Sequence, residues 1–142
     1  MTLDELKIQV ANDLKVNDER LDTESLKNQE LYSKYLEIKS NFELLMYKAK
    51  GDYKILYRDK WEYYGGKSDA KIYETIPFDL KVLKSDVSIY IESDEDIIKM
   101  ENKLVYLETV IKYVDGGLKS ISARGWDIKN AIQWKNFEAG LM

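Results

Sequence analysis

From Lys48 to Lys71, seven basic residues interleave with five aromatic rings. The cations are Lys48, Lys50, Lys54, Arg58, Lys60, Lys67 and Lys71; the rings are Tyr53, Tyr57, Trp61, Tyr63 and Tyr64. Ammonium and guanidinium groups neutralise phosphates and release counterions, while flat rings stack on unpaired bases. Together these two chemistries hold a single-stranded nucleic acid without reading its sequence. The same spacing permits a second reading. Tyr53, Tyr57, Trp61 and Tyr64 follow one another at four, four and three residues, which also suits one buried face of a helix.

Other chemistries are closed off by composition. The 142-residue chain has no Cys and no His. Disulfides, thiol nucleophiles, Cys-ligated zinc, Ser-His-Asp triads and His general bases are therefore excluded. Asp94, Glu95 and Asp96 lack the glycine turn and spaced ligands of a calcium loop. They suit instead the first turn of a helix, where negative charge is favoured. No catalytic group, metal or cofactor is expected, and the work of this chain is read as binding.

Charge is spread unevenly. With 22 basic and 26 acidic residues the net charge is −4. Residues 47–71 carry seven basic and four acidic groups, whereas 1–46 carry six and ten, and 72–115 carry five and ten. A basic belt in an acidic chain restricts where an anionic partner can settle. At 44% hydrophobic and 34% charged, the composition predicts a globular cytosolic protein, with 1–142 as a single domain. Apolar runs stop at three or four residues, so no membrane span is expected, and Met1–Glu5 has no signal-peptide character.

The elements that must position the basic belt follow from periodicity. Thr2 with Glu5 forms a capping box, and Leu3, Leu6, Val10 and Leu14 predict a short helix over about 3–15. Leu31, Tyr35, Ile38, Phe42, Leu45 and Ala49 recur at 4-3-4-3-4, with Leu56 on the same stripe, inside a helix over about 24–64 that Gly65-Gly66 stops. Val87, Ile89 and Ile91 alternate with Ser88, Tyr90 and Glu92, which predicts a short strand with Ile76 to Leu83 as its partner. Pro77 pushes Ile76 towards extended geometry. Ser93 is read as the N-cap of a second long helix over about 94–123. Its seam, Ile97, Met100, Leu104, Leu107, Ile111, Val114, Leu118 and Ile121, keeps heptad spacing throughout. Gly116-Gly117 inside it either allows close backbone approach or ends the helix early. Ile128, Ile132, Trp134 and Phe137 mark a last helix over about 126–138. The fold class is thus mainly α with a short β element between the long helices. The seam serves an intramolecular hairpin and a self-association surface equally well.

Four stretches together resemble one family. They are Leu31-Tyr32-Ser33-Lys34-Tyr35-Leu36, Glu62-Tyr63-Tyr64-Gly65-Gly66, Ser122-Ala123-Arg124-Gly125-Trp126-Asp127-Ile128-Lys129 and Phe137-Glu138-Ala139-Gly140. In order and spacing they are similar to the UvsY family, the recombination mediators of T-even-like tailed bacteriophages. The resemblance runs from about Leu31 to Gly140. It implies a non-enzymatic protein that binds single-stranded DNA, assembles into a homo-oligomeric ring (hexamer or heptamer), and works in the cytoplasm of the infected bacterial host. It implies two further partners, a UvsX-like recombinase and the phage single-strand binding protein, with the recombinase loaded onto strands that the binding protein coats.

The family's DNA-binding run, Leu-Lys-Ala-Arg-Leu-like, falls here on Tyr57-Arg58-Asp59-Lys60-Trp61, with Arg and Lys exchanged, an acid between them and Trp in place of an aliphatic residue. The DNA-binding set is accordingly Lys54, Arg58, Lys60, Trp61 and Lys67. By the same resemblance an N-terminal part over about 1–75 carries the DNA-binding helix. The C-terminal part, about 93–142, oligomerises, through Leu104, Leu107, Ile111, Val114, Leu118, Ile121, Ile128 and Ile132. The competing reading is a purely structural coiled-coil assembly protein, which would keep the seam and treat 47–71 as core and solvated face.

Overall fold

The computed structural model describes residues 1–141, and among them it contains five α-helices, one 3-10 turn and no strand. Helix α1 spans Leu3–Asp13, α2 Leu21–Tyr64, α3 Ala70–Thr75, α4 Val87–Glu92 and α5 Glu95–Glu138, with the 3-10 turn at Lys84–Asp86. The capping box is formed: Thr2 Oγ1 accepts from the Glu5 N–H, and Glu5 returns the bond to the Thr2 N–H. Gly65-Gly66 ends α2 as a Schellman turn, with Gly66 at φ +74° and the Lys67 N–H reaching the Glu62 carbonyl at 2.8 Å. That conformation suits glycine because a Cβ disfavours it.

Packing gathers the described residues into two compact units, 1–43 with the chain from Thr109 onward, and Leu44–Glu108. In the first, α1 and the leading part of α2 pack on the trailing part of α5 around Leu6, Val10, Tyr35, Val110, Val114, Leu118 and Ile121. Polar contacts pin these helices. The Tyr35 hydroxyl donates to Asp13 at 2.6 Å, Lys34 pairs with the same carboxylate at 2.8 Å, and Lys39 pairs with Asp115 at 2.6 Å. Arg124 is buried in ion-paired contact with buried Glu24. Its remaining N–H groups donate to the carbonyls of Leu14, Lys15 and Glu24 and to Asn28 Oδ1. One guanidinium thus gathers the end of α1, the start of α2 and α5.

In the second unit, Val87, Ile91 and Ile97 form a core covered by Tyr53, Leu56, Tyr57, Tyr64 and Val82. A ring cluster of Tyr63, Tyr64, Tyr73, Phe78 and Tyr90, with centroids 5.0–5.9 Å apart, folds the 70–90 segment against the end of α2.

Several expectations are corrected. The short β element is absent from the described residues: Val87 and Ile91, four apart, turn inward on α4, while Ile89 stays 60% exposed. A strand needs a hydrogen-bonded neighbour, and 76–83 supplies irregular backbone instead. Burial on a helical period therefore overrides β-branched propensity. Ile76, before Pro77, leaves the helical region at φ −128° and ψ +88° without becoming fully extended, and α3 stops one residue earlier. The cap of α5 is Asp94, not Ser93: Asp94 Oδ1 accepts from the N–H groups of Asp96 and Ile97 at 2.9 and 3.3 Å, while Ser93 Oγ donates back to Ile89. The two C-terminal helices are one, since α5 runs unbroken through Gly116, Gly117 and Gly125. Gly117 lies against α1, where a Cβ would stand 3.8 Å from Val10. Leu45 leaves the α2 stripe at 53% exposure, because a 3.5-residue repeat drifts about 20° per heptad on a straight helix.

Candidate nucleic-acid interface

Helical geometry sorts the basic–aromatic segment into two faces. Successive residues of α2 turn by about 100°. Tyr47, Gly51, Lys54, Arg58 and Trp61 therefore line one side of α2, all exposed, with Lys50 at its edge. Ala49, Tyr53, Leu56, Lys60, Tyr63 and Tyr64 line the other, all buried or half-buried. Tyr53, Tyr57 and Tyr64 cover the core of this unit, so three of the four rings spaced 4-4-3 do share an inward face. Trp61, at 44% exposure, does not join them.

The outward face is cationic and aromatic. A shallow groove runs between Tyr47, Lys50, Gly51, Tyr53 and Lys54. Lys50, Lys54 and Lys67 have no carboxylate partner among the described residues. Arg58 lies 3.4 Å from Asp59, but both side chains are more than half exposed, and such a pair holds its members weakly. The Lys67 ammonium sits over the Trp61 indole, 4.2 Å from the ring centroid.

Lys60 stands elsewhere. Its ammonium lies 2.9 Å from Asp96 Oδ2 and 3.2 Å from Asp94 Oδ2, with only 20% of the side chain exposed. Asp94 also accepts the Tyr64 hydroxyl at 2.5 Å. Burial disfavours charge on Lys60, yet hydrogen bonds to Asp96 and Asp94 outweigh it and raise its pKa. Burial likewise opposes ionisation of Asp94, but the Tyr64 and Lys60 hydrogen bonds and the α5 backbone N–H hold its pKa below the ordinary carboxylate value. Burial and then the Asp94 carboxylate push the Tyr64 phenol up. The group ties α2 to the N-terminus of α5 within this unit. Of the five residues assigned to DNA, the structure thus brings Lys54, Arg58, Trp61 and Lys67 to solvent and places Lys60 in an internal ion pair.

The seam residues are equally divided. Val114, Leu118 and Ile121 lie in the core of the first unit, Leu107 and Ile128 are buried, Leu104 and Ile111 are half-buried, and Ile132 is on the surface. From Trp126 onward an apolar surface remains, in which Trp134 stacks on Phe137 at 5.6 Å and Lys129 lies over Trp126. Arg124 enters the sequence reading only within the stretch Ser122 to Lys129 that carries the family resemblance. Its signal is position, a charge on the seam three residues after Ile121 and four before Ile128, both buried.

The fold is a helical one that carries a solvent-facing cationic stripe, and comparison with known proteins gives the family. Residues 9–141 match the family described as recombination, repair and ssDNA binding protein UvsY. The chain belongs to the UvsY family. It is 26% identical over 140 residues to the recombination protein uvsY of Enterobacteria phage T4, covering 99% of both. Crystal structures of the bacteriophage T4 recombination mediator protein UvsY superpose on it. One gives a TM-score of 0.85 at 26% identity over 98% of each chain, and another 0.84 at 25% identity over 94% of this chain and 98% of that one. No helix among the described residues is long and apolar enough to cross a membrane.

Proposed function

We propose that this chain is a recombination mediator that binds single-stranded DNA along the outward stripe of α2. It promotes loading of a phage recombinase onto strands coated by single-strand binding protein, in homologous recombination and in recombination-dependent replication and repair, in the cytoplasm of the infected host. The observation that carries this reading is the solvent-facing array of Lys50, Lys54, Arg58, Trp61 and Lys67 in a member of a family described as binding single-stranded DNA. Four cations and an indole make a modest site by themselves. A ring of six or seven subunits repeats it, and a strand wrapped across several copies binds by avidity. Wrapping bends the strand and frees stretches of it from the coating protein, where a recombinase can nucleate. The exposed Trp126, Trp134 and Phe137 are the apolar surface offered to neighbouring subunits.

The test titrates the full-length protein against a fluorescent mixed-sequence single strand and its own duplex across a range of salt. Tighter binding to the single strand, falling steeply with salt, is expected. Equal or tighter binding to the duplex overturns the reading.

A further inference from the structure

We infer that a groove at the end of α2 is a slot for one nucleobase of the bound strand together with its phosphate. The inference rests on the single-stranded-DNA reading above and extends it to a segment that reading does not use. Trp61, Gly65, Lys67, Val82, Lys84 and Val87 line the groove. Its aromatic member, Trp61, stands on the last turn of α2 and is half exposed. Val87 is anchored in the core and Val82 packs on it, so an apolar wall is fixed near the indole. Gly65 lines the groove without a side chain of its own, and a Cβ there would crowd the Trp61 carbonyl at 2.9 Å.

Two lysines line this apolar slot. Lys67 leaves the turn that ends α2 and lies over the indole, and Lys84 opens the 3-10 turn before α4. Neither has a carboxylate partner among the described residues. A flat π-faced group bearing an adjacent anion matches that combination, and a nucleotide of a single strand is such a group. A paired base is stacked inside its duplex and cannot enter. The slot also continues the cationic stripe, since Trp61 is its last member, so a strand following Lys54 and Arg58 arrives there. Lys84 and the valines come from a segment far along the chain from the basic belt, and only folding brings them beside Trp61.

The experiment compares the full-length protein with Trp61→Leu, Trp61→Phe and Lys84→Ala. Each is titrated with oligo-dT and with an abasic oligomer of equal length, which keeps the phosphates and lacks the bases. The parent is expected to prefer oligo-dT. Trp61→Leu should lose roughly five- to a hundredfold in oligo-dT affinity while binding the abasic strand as the parent does, and Trp61→Phe should recover most of that loss. Lys84→Ala should weaken both oligomers by the same factor and reduce the salt slope by about 0.7. If Trp61→Leu weakens both oligomers equally, or if Lys84→Ala leaves the salt slope unchanged, the slot is overturned and the stripe stands. Unchanged oligo-dT binding in both variants also overturns the slot, and is the result expected of a groove that serves an acidic protein segment. If the parent binds neither oligomer, the functional reading itself falls and the slot with it.

Discussion

Arg58 and Lys60 are two residues apart, and they face opposite ways. Arg58 stands in solvent on the outward stripe of α2, whereas Lys60 is closed onto Asp94 and Asp96 at 3.2 and 2.9 Å. Two residues along a helix turn the side chain by about 200°. A basic pair that reads as one motif therefore divides into a surface cation and an internal strut.

The two substitutions should separate. Arg58→Ala is expected to weaken single-stranded DNA binding and to lower the salt slope by about 0.7, with the unfolding midpoint unchanged. Lys60→Ala leaves Asp94 half-compensated and should cost about 1–3 kcal/mol of stability. Denaturant titration beside an oligo-dT titration of each variant checks both. A Lys60→Ala protein of undiminished stability and impaired DNA binding would refute the assignment.

Arg124 offers a sharper stability test. Arg124→Met removes the buried partner of Glu24, leaving it only the exposed Lys27 at 3.9 Å, and strands several carbonyl acceptors, so a loss of about 3–5 kcal/mol is expected. Arg124→Lys should recover little, because an ammonium lacks the planar fork that reaches those acceptors together. Adding Glu24→Met to Arg124→Met should recover stability in thermal melts, since the uncompensated charge is then gone. A double variant no more stable than Arg124→Met would contradict this.

Stability should fall at both ends of the pH scale. At the acid end, Asp94 and Asp13 have lowered pKa values; for both, burial acts against ionisation and the hydrogen bonds of Tyr64 and Lys60, or of Lys34 and Tyr35, outweigh it. A depressed folded-state pKa contributes stability above the unfolded value, near pH 4, and that stability drains away as pH drops through the folded value. At the alkaline end, burial and a carboxylate partner raise the phenols of Tyr35 and Tyr64, and the Lys60 pKa is raised as well. Their contribution is complete below about pH 10 and is lost as pH rises beyond it. Melting temperature measured against pH should show a plateau between the two limbs, and Asp94→Asn should flatten the acid limb. An acid limb unchanged in Asp94→Asn would rule out this carboxylate as its source.

Self-association should answer to exposed side chains and not to the seam. Trp134→Ala with Phe137→Ala removes a stacked pair from the surface without touching the core, so light scattering should find smaller species with the helical circular dichroism retained. DNA affinity should fall in step, because a lone subunit would lose the avidity of the proposed ring although Arg58 remains. Val114→Ala, by contrast, opens a cavity inside the chain and should lower thermal stability first. Assembly undisturbed by the Trp134/Phe137 change would place the subunit contact on another surface.

Much of this fold is written in local signals. The Thr2–Glu5 box, the Gly65-Gly66 stop and the long apolar periods each act through neighbours within a turn or two, so the sequence alone determines α1, the extent of α2 and the helical class. The Arg and Lys of the 57–61 run were equally visible as charges. What local signals omit is the partner. Whether Lys60 meets a phosphate or a carboxylate depends on Asp94 and Asp96, more than thirty residues away, which only folding brings within hydrogen-bonding distance. Val87 to Ile91 alternates like a strand, yet no neighbouring strand was there to pair with it, and packing on Ile97 made it a helix. The heptad seam specifies an apolar stripe without naming what covers it, and for Val114, Leu118 and Ile121 the cover proved to be α1 and α2 of the same chain. Periodicity reports which side of an element is apolar; which surface closes over it is set by contacts between residues far apart in sequence, and those belong to the tertiary structure.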